Sequence, residues 1–453
     1  MSPLSRLLRV CGLDRAVFLA LVGKVWTTSS GLVTALLIAA TFRADVQGYY
    51  YTFLSVLAIQ ALAELGLGIV ISSYSSHEWA HLGFDDKRHI VGDPDALSRL
   101  TSLARFALRW YVWAGVAMAF GLTVGGFVFF GSTSWSALDV WGAPWAVLCL
   151  VAGFNLCLIP FWSLLEGCNQ VASVYAARLI QSIAVSLAAW LAIYAGAGLW
   201  VVPLMALVGA LATLLTIGRW HGAFFNSLMR RHPSGPRLHW KADILPMQWR
   251  VALSWLSGYV TFSLFTPVLF HYHGAVVAGQ MGMTWAFVGA LTGVASSWIA
   301  PKAPTFGILI AQRKYAELDH AFWRLLFVVV AIASIGALAI WGFVLAVGWL
   351  QHPIAKRLLS PSETGSLLIA TVIVCASLPM SAYLRAHKRE PLLLPSLMSG
   401  LITGASVLLL GKHFAAAGVS LAYLLSMAIV TPVVAVIWQR RRVEWHAPSA
   451  AVA

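Results

Sequence analysis

Two charged residues, Lys24 and Glu64, stand deep inside apolar runs of the chain. A charge in the middle of a membrane span costs about 2.5–3.5 kcal/mol, so such a residue faces a cavity or a partner. The chain turns near residue 44, and both residues stand twenty positions from that turn. In an antiparallel hairpin they reach similar depth, which predicts an ion pair. Lys24 has two other uses: contact with an anionic ligand, or snorkelling to the interface. Glu64 is the carboxylate best placed to couple a proton or Na⁺ gradient. It serves equally well as a plain neutraliser of Lys24.

Arg109, Arg178, Arg250 and Lys302 stand at the ends of apolar runs. Arginine grips diphosphate oxygens in a bidentate way that lysine does not match. With Lys24 these four form the candidate substrate-binding set. The same residues also satisfy the basic bias of cytoplasmic loops, and both readings stay open. His77, Glu78, Glu166 and Asn169 lie beside helix ends on that side, where gating and helix capping are equally served. The sequence holds no paired carboxylates, no spaced Ser/His/Asp set and no phosphate loop. Its five cysteines (Cys11, Cys149, Cys157, Cys168 and Cys375) show no metal-ligand spacing. The expectation is a protein that is not an enzyme and has no cofactor or metal.

These residues are carried by a chain of 453 residues that is 60% hydrophobic and only 10% charged. Soluble proteins carry about 25% charged residues, so lipid must be the solvent for much of this surface. A span needs about 20 mostly apolar residues. Twelve runs qualify, near 16–41, 47–75, 107–131, 144–165, 172–195, 199–219, 248–270, 275–300, 322–349, 366–384, 391–411 and 414–438. The first is too long for a cleaved signal peptide and is read as a retained helix. With both termini cytoplasmic, 25 of the 30 Lys and Arg fall inside, Lys24 lies in the membrane, and only Arg43, Lys356, Arg357 and Lys412 lie outside. The net charge of +14 is therefore read as topology, not as a nucleic-acid surface.

The fold class expected is an all-α polytopic membrane protein with two six-helix lobes around a central cavity. The lobes are 1–219 and 248–439, joined by a basic cytoplasmic linker, 220–247, and followed by a tail, 440–453. A short echo supports two repeats: Val46-Gln47-Gly48 after the first span and Ala278-Gly279-Gln280 after the seventh. Six spans per half give both halves the same orientation, as in parallel-repeat transporters. All outer loops are short, the longest being about 350–365.

Four segments carry a family likeness. They are Gly48-Tyr49-Tyr50-Tyr51-Thr52-Phe53 running on to Glu64-Leu65-Gly66 and Ser76-His77-Glu78; Pro160-Phe161-Trp162 with Leu165-Glu166-Gly167-Cys168-Asn169-Gln170 and Arg178; Ala278-Gly279-Gln280-Met281-Gly282 with Trp298, Lys302 and Pro304; and Tyr383-Leu384-Arg385-Ala386-His387-Lys388. In that order the chain resembles the Wzx-type polysaccharide flippases of the multidrug/oligosaccharidyl-lipid/polysaccharide (MOP) exporter superfamily. The resemblance implies alternating access that moves undecaprenyl-diphosphate-linked oligosaccharide to the outer leaflet of a bacterial inner membrane. It implies membrane lipid and a polysaccharide polymerase machinery as partners, in O-antigen (lipopolysaccharide), capsule or exopolysaccharide assembly. Within the same superfamily the alternative is a multidrug antiporter. Such proteins commonly place an acid in the first span, and this one has none. A membrane enzyme of envelope glycan assembly is the other alternative.

Overall fold

The computed structural model describes residues 15–64, 66–85, 90–230, 235–236, 240, 245–299, 302–387 and 391–446. Parts of the expected linker (231–234, 237–239 and 241–244), the end of the tail and Lys388 lie outside the described residues. Among those described, nine helices are long and apolar enough to cross a membrane. The bent pair Ala44–Glu64 and Leu67–Trp79, with a 42° angle between its parts, makes a tenth span.

Two of these runs are too long for one crossing. Trp255–Ser296 has 42 residues and Leu393–His446 has 54, about 63 and 81 Å at 1.5 Å per residue, against roughly 30 Å of hydrocarbon. Each folds back at a non-helical residue: Gly274 (φ 83°, ψ 178°) in the first, Phe414 and Ala415 in the second. Beside the first break, Phe265 and Trp285 meet with ring centroids 4.8 Å apart; a straight helix would separate them by about 30 Å. Beside the second, a methyl group on Gly418 would touch the Leu410 carbonyl. Counting both hairpins gives the twelve crossings that hydropathy predicts.

Local signals set several ends beyond the apolar runs. The helix Pro94–Ser134 starts well before the span expected at 107, because Asp93 caps it, accepting from the backbone N–H of Asp95 and Ala96, with Pro94 at the first position. Pro361–Ala386 starts on a capping box of Ser360 and Glu363. Val201–Arg230 continues past residue 219 into the expected linker. Among the described residues, the one departure from an all-α chain is a small antiparallel ribbon, Leu82–Phe84 with Ile90–Gly92. Phe84 and Trp79 close over Phe224 there.

The chain forms two compact units: Met1–Ser30 with Phe53–Tyr259, and Gly31–Thr52 with Val260–Ala453. Residues 31–52, counted in the first lobe by chain order, pack in the second unit. The first unit centres on Phe53, Phe130, Trp141 and Trp145, with the Trp145 indole N–H donating to the Leu122 carbonyl. Asn155 and Gln181 donate to the carbonyls of Ala206 and Gly209. Such side-chain-to-backbone bonds join helices where lipid offers no hydrophobic drive.

In the second unit the echo residues meet. Gly48 and Gly279 are packed so closely that a Cβ on Gly279 would lie 2.9 Å from the Gly48 nitrogen. Gln47 Nε2 donates to the Gly279 carbonyl at 2.9 Å, and Gln280 Nε2 to that of Lys356 at 3.1 Å. At the other end of this unit Phe322, Tyr383 and Trp438 stack under a polar cluster. Arg442 Nε reaches both Asp319 oxygens at 3.0 Å, and the Tyr383 hydroxyl donates to Asp319 at 3.0 Å. Both partners of the pair are only 20–28% exposed, and a hydrogen bond to a charged group contributes about 1.5–3 kcal/mol. Arg442→Gln is therefore expected to lower the midpoint of thermal unfolding of the purified protein by several degrees. An unchanged midpoint would show that the cluster does not hold the last helix.

Candidate functional site

Glu64 ends one half of the bent span, and Gly66, at φ 66°, starts the next helix. The sequence then repeats a small or polar residue every fourth position: Glu64, Gly68, Ser72, Ser76. Gly68, Ser72 and Ser76, four apart on one helix, share a face, and with Glu64 across the bend they line a wall. The opposite wall comes from the end of Leu138–Gly167, with Trp162, Ser163 and Glu166. Arg178 on Val171–Tyr194 and Trp255 complete the lining. Together they line an open cavity of about 680 Å³ within the first unit. That size falls in the range of small-molecule sites.

The cavity is not the basic one expected. Arg178 Nη2 makes an ion pair with Glu166 Oε1 at 2.8 Å, and Glu64 is the second carboxylate of the lining. The Glu64 side chain folds over Gly68, where a Cβ would lie 2.5 Å from Oε1. The buried Tyr111 hydroxyl faces the same carboxylate without a hydrogen bond of ordinary geometry. Four serine hydroxyls (Ser72, Ser73, Ser76 and Ser163) and two indoles supply the rest of the chemistry.

The other sequence candidates are placed as follows. Lys24 is exposed, and among the described residues no ion pair joins it to Glu64. Equal depth in a hairpin fixes height, not the direction in which a side chain points, and Glu64 points to Tyr111 and Arg178. Arg109 is exposed and donates to the Arg105 carbonyl of its own helix. The helix carrying Arg250 is described but its side chain is not. Lys302 belongs to the second unit and lines a different cavity.

Of the four gate candidates, only Glu166 is in the cavity lining. Glu78 accepts from Arg99 Nε at 2.9 Å through both oxygens. His77 is exposed at the end of its helix. Asn169, at φ 60°, takes the left-handed position after Leu138–Gly167, and the Gln170 N–H returns to the Leu165 carbonyl at 2.9 Å. That is a Schellman stop, in which asparagine tolerates the left-handed backbone. Capping accounts for Asn169. Sequence reasoning missed Tyr111, Trp255 and the serines as a set, although the fourfold stripe from Glu64 to Ser76 was legible.

No family model matches the chain, and no curated protein matches it in sequence. Solved structures do match. An inward-facing multidrug resistance MATE family transporter of the MOP superfamily superposes with a TM-score of 0.72 at 16% identity, covering 96% of this chain and 100% of that one. The chain shares the fold of that transporter. Two further structures share it. The MATE multidrug transporter DinF-BH in complex with R6G gives 0.62 at 14% identity, over 94% of both chains. A MOP superfamily transporter from Pyrococcus furiosus, whose reversed binding-pocket polarity suggests a different function, gives 0.56 at 14% identity over 96% of both. At these identities the likeness is one of fold, and all three neighbours are transporters.

Proposed function

We propose that the chain is an exporter that carries a lipid-linked oligosaccharide across a bacterial inner membrane, with its termini in the cytoplasm. The observation that supports this reading is the lining of the cavity in the first unit. Indoles offer flat apolar faces with a polar edge, on which sugar rings stack. Serine hydroxyls and carboxylates supply the acceptors and donors that sugar hydroxyls need. Glu64 is the group proposed to couple transport to a proton or Na⁺ gradient. Arg178, held by Glu166, is proposed to exchange that partner for a phosphate oxygen of the undecaprenyl diphosphate. A polysaccharide polymerase machinery is the proposed downstream partner.

A second reading, export of organic cations, is favoured by specific observations. The same cavity holds two carboxylates and two indoles, and indoles attract cations over their faces. Two of the structural neighbours are described as multidrug transporters.

One complementation experiment separates the two. In a host lacking its own flippase, the chain should restore surface polysaccharide, and Trp162→Ala should cut that restoration about fivefold or more, the effect of losing roughly 1 kcal/mol of stacking. Tolerance to cationic dyes should not change. Dye tolerance that depends on the chain, with no restored glycan, would replace the first reading by the second.

A further inference from the structure

The second unit holds a separate cavity of about 700 Å³. Trp298, Lys302, His320, Arg324 and Leu325 are among its lining residues, and so is Glu317. Its position in the chain explains its composition. The apolar helix Phe265–Ser296 ends just before Trp298, and the next long span starts at Tyr315. Between them, among the described residues, lies the short apolar helix Ala303–Ala311, with Lys302 at its N-cap. The cavity therefore sits where the chain leaves one span and enters the next, at the level of a bilayer interface. Trp298 in its lining is 52% exposed, as an indole at a headgroup layer is.

The charges in this cavity do not cancel. Its only carboxylate, Glu317, is engaged by Lys314 at 3.3 Å. Lys302 and Arg324 have no carboxylate within ion-pair distance among the described residues. The floor is apolar, made by Ala321, Leu325 and Val328. Two uncompensated cations above an apolar floor, beside an exposed tryptophan, match one ligand chemistry: a phosphate anion carried on a lipid chain. Arginine binds phosphate oxygens in pairs, and lysine adds a point charge.

We infer that Lys302 and Arg324 form a binding site for a lipid phosphate, with the acyl or prenyl chain lying along Leu325 and Val328. The site does not depend on the oligosaccharide reading, since it needs only a bilayer and the geometry of this unit. Its phosphate has two sources: an ordinary phospholipid headgroup, or the phosphate end of a polyprenyl carrier.

Native mass spectrometry of the purified full chain, titrated separately with phosphatidylglycerol and with undecaprenyl phosphate, tests the inference. The Lys302→Gln/Arg324→Gln double variant should bind its first lipid anion about tenfold or more weakly, because charge-assisted hydrogen bonds are lost. Glu317→Gln should bind severalfold more tightly, because a like charge is removed; a damaged fold cannot produce that gain. Arg219→Gln, an exposed cation outside the cavity, should bind as the wild type does. A response to phosphatidylglycerol assigns the site to bilayer lipid, and a response to undecaprenyl phosphate alone assigns it to the carrier. Equal affinity of the wild type and the double variant for both lipids overturns the inference, as does a Glu317→Gln variant that binds no better than the wild type. Neither result bears on whether the chain exports glycan, which the complementation experiment reads separately.

Discussion

Gly48→Ala should lower the amount of folded protein in the membrane severalfold or more. A Cβ at position 48 would lie 1.8 Å from the Ala275 carbonyl oxygen and 2.4 Å from its carbon. Both contacts are with backbone, so no side chain can turn aside. The segment would have to move away from the opposing helix, and with it the Gln47 bonds to Gly279 and Arg357. Overpacking a tight contact costs about 1–3 kcal/mol and occasionally more. A clash this deep belongs at the upper end, about 3 kcal/mol, or more than a hundredfold in the folded-to-unfolded ratio. Gly31→Ala is the control: nothing lies within 4 Å of a Cβ there. Exchanging glycine for alanine inside a helix is neutral or stabilising by up to about 1 kcal/mol. Fluorescence-detected size-exclusion of both variants decides the matter. A monodisperse Gly48→Ala peak of wild-type height would mean that the helices at this crossing separate at little cost.

Glu64→Gln should reduce export at least tenfold without lowering the protein level. Glutamine keeps the shape and an acceptor oxygen but cannot change charge, so it separates a packing role from a charge-carrying one. The loss expected is that of about one charge-assisted interaction, 1.5–3 kcal/mol, or roughly tenfold to a hundredfold. Arg178→Ala supports the interpretation. The Arg178–Glu166 pair is 46% and 27% exposed, and exposed pairs contribute only about 0–1 kcal/mol to stability. A fall in export on Arg178→Ala with an intact melting curve therefore reports the site, not the fold. Surface glycan per unit of membrane protein is the readout. Wild-type export by Glu64→Gln would sink the coupling role and leave Glu64 as a structural carboxylate.

The hairpin predicts a pair of Lys24 with Glu64, but Glu64 is turned toward Arg178 and Tyr111. The same lesson holds at Arg178, whose charge reads as free in the sequence but is matched by Glu166. Of the expected basic set Lys24, Arg109, Arg178, Arg250 and Lys302, it is Lys302 that lines a cavity with a further cation, Arg324, which the sequence counts only as a topology signal.

What the sequence by itself determines here is what depends on neighbours along the chain. Hydropathy places the spans because desolvating some twenty consecutive residues is a local sum. Asp93-Pro94 and Ser360-Pro361 start helices because their caps bond to backbone within three residues. Gly48 and Gly279 stand out as an echo for the same reason, each by its local string. That the two glycines touch, that Glu64 looks away from Lys24, and that Glu166 claims Arg178 are decisions of the tertiary structure. They depend on how each helix is rotated about its axis and on which partner packs against it. In lipid, where apolar faces are interchangeable, that rotation is chosen by close backbone contacts and by polar side chains finding one another across helices far apart in the chain.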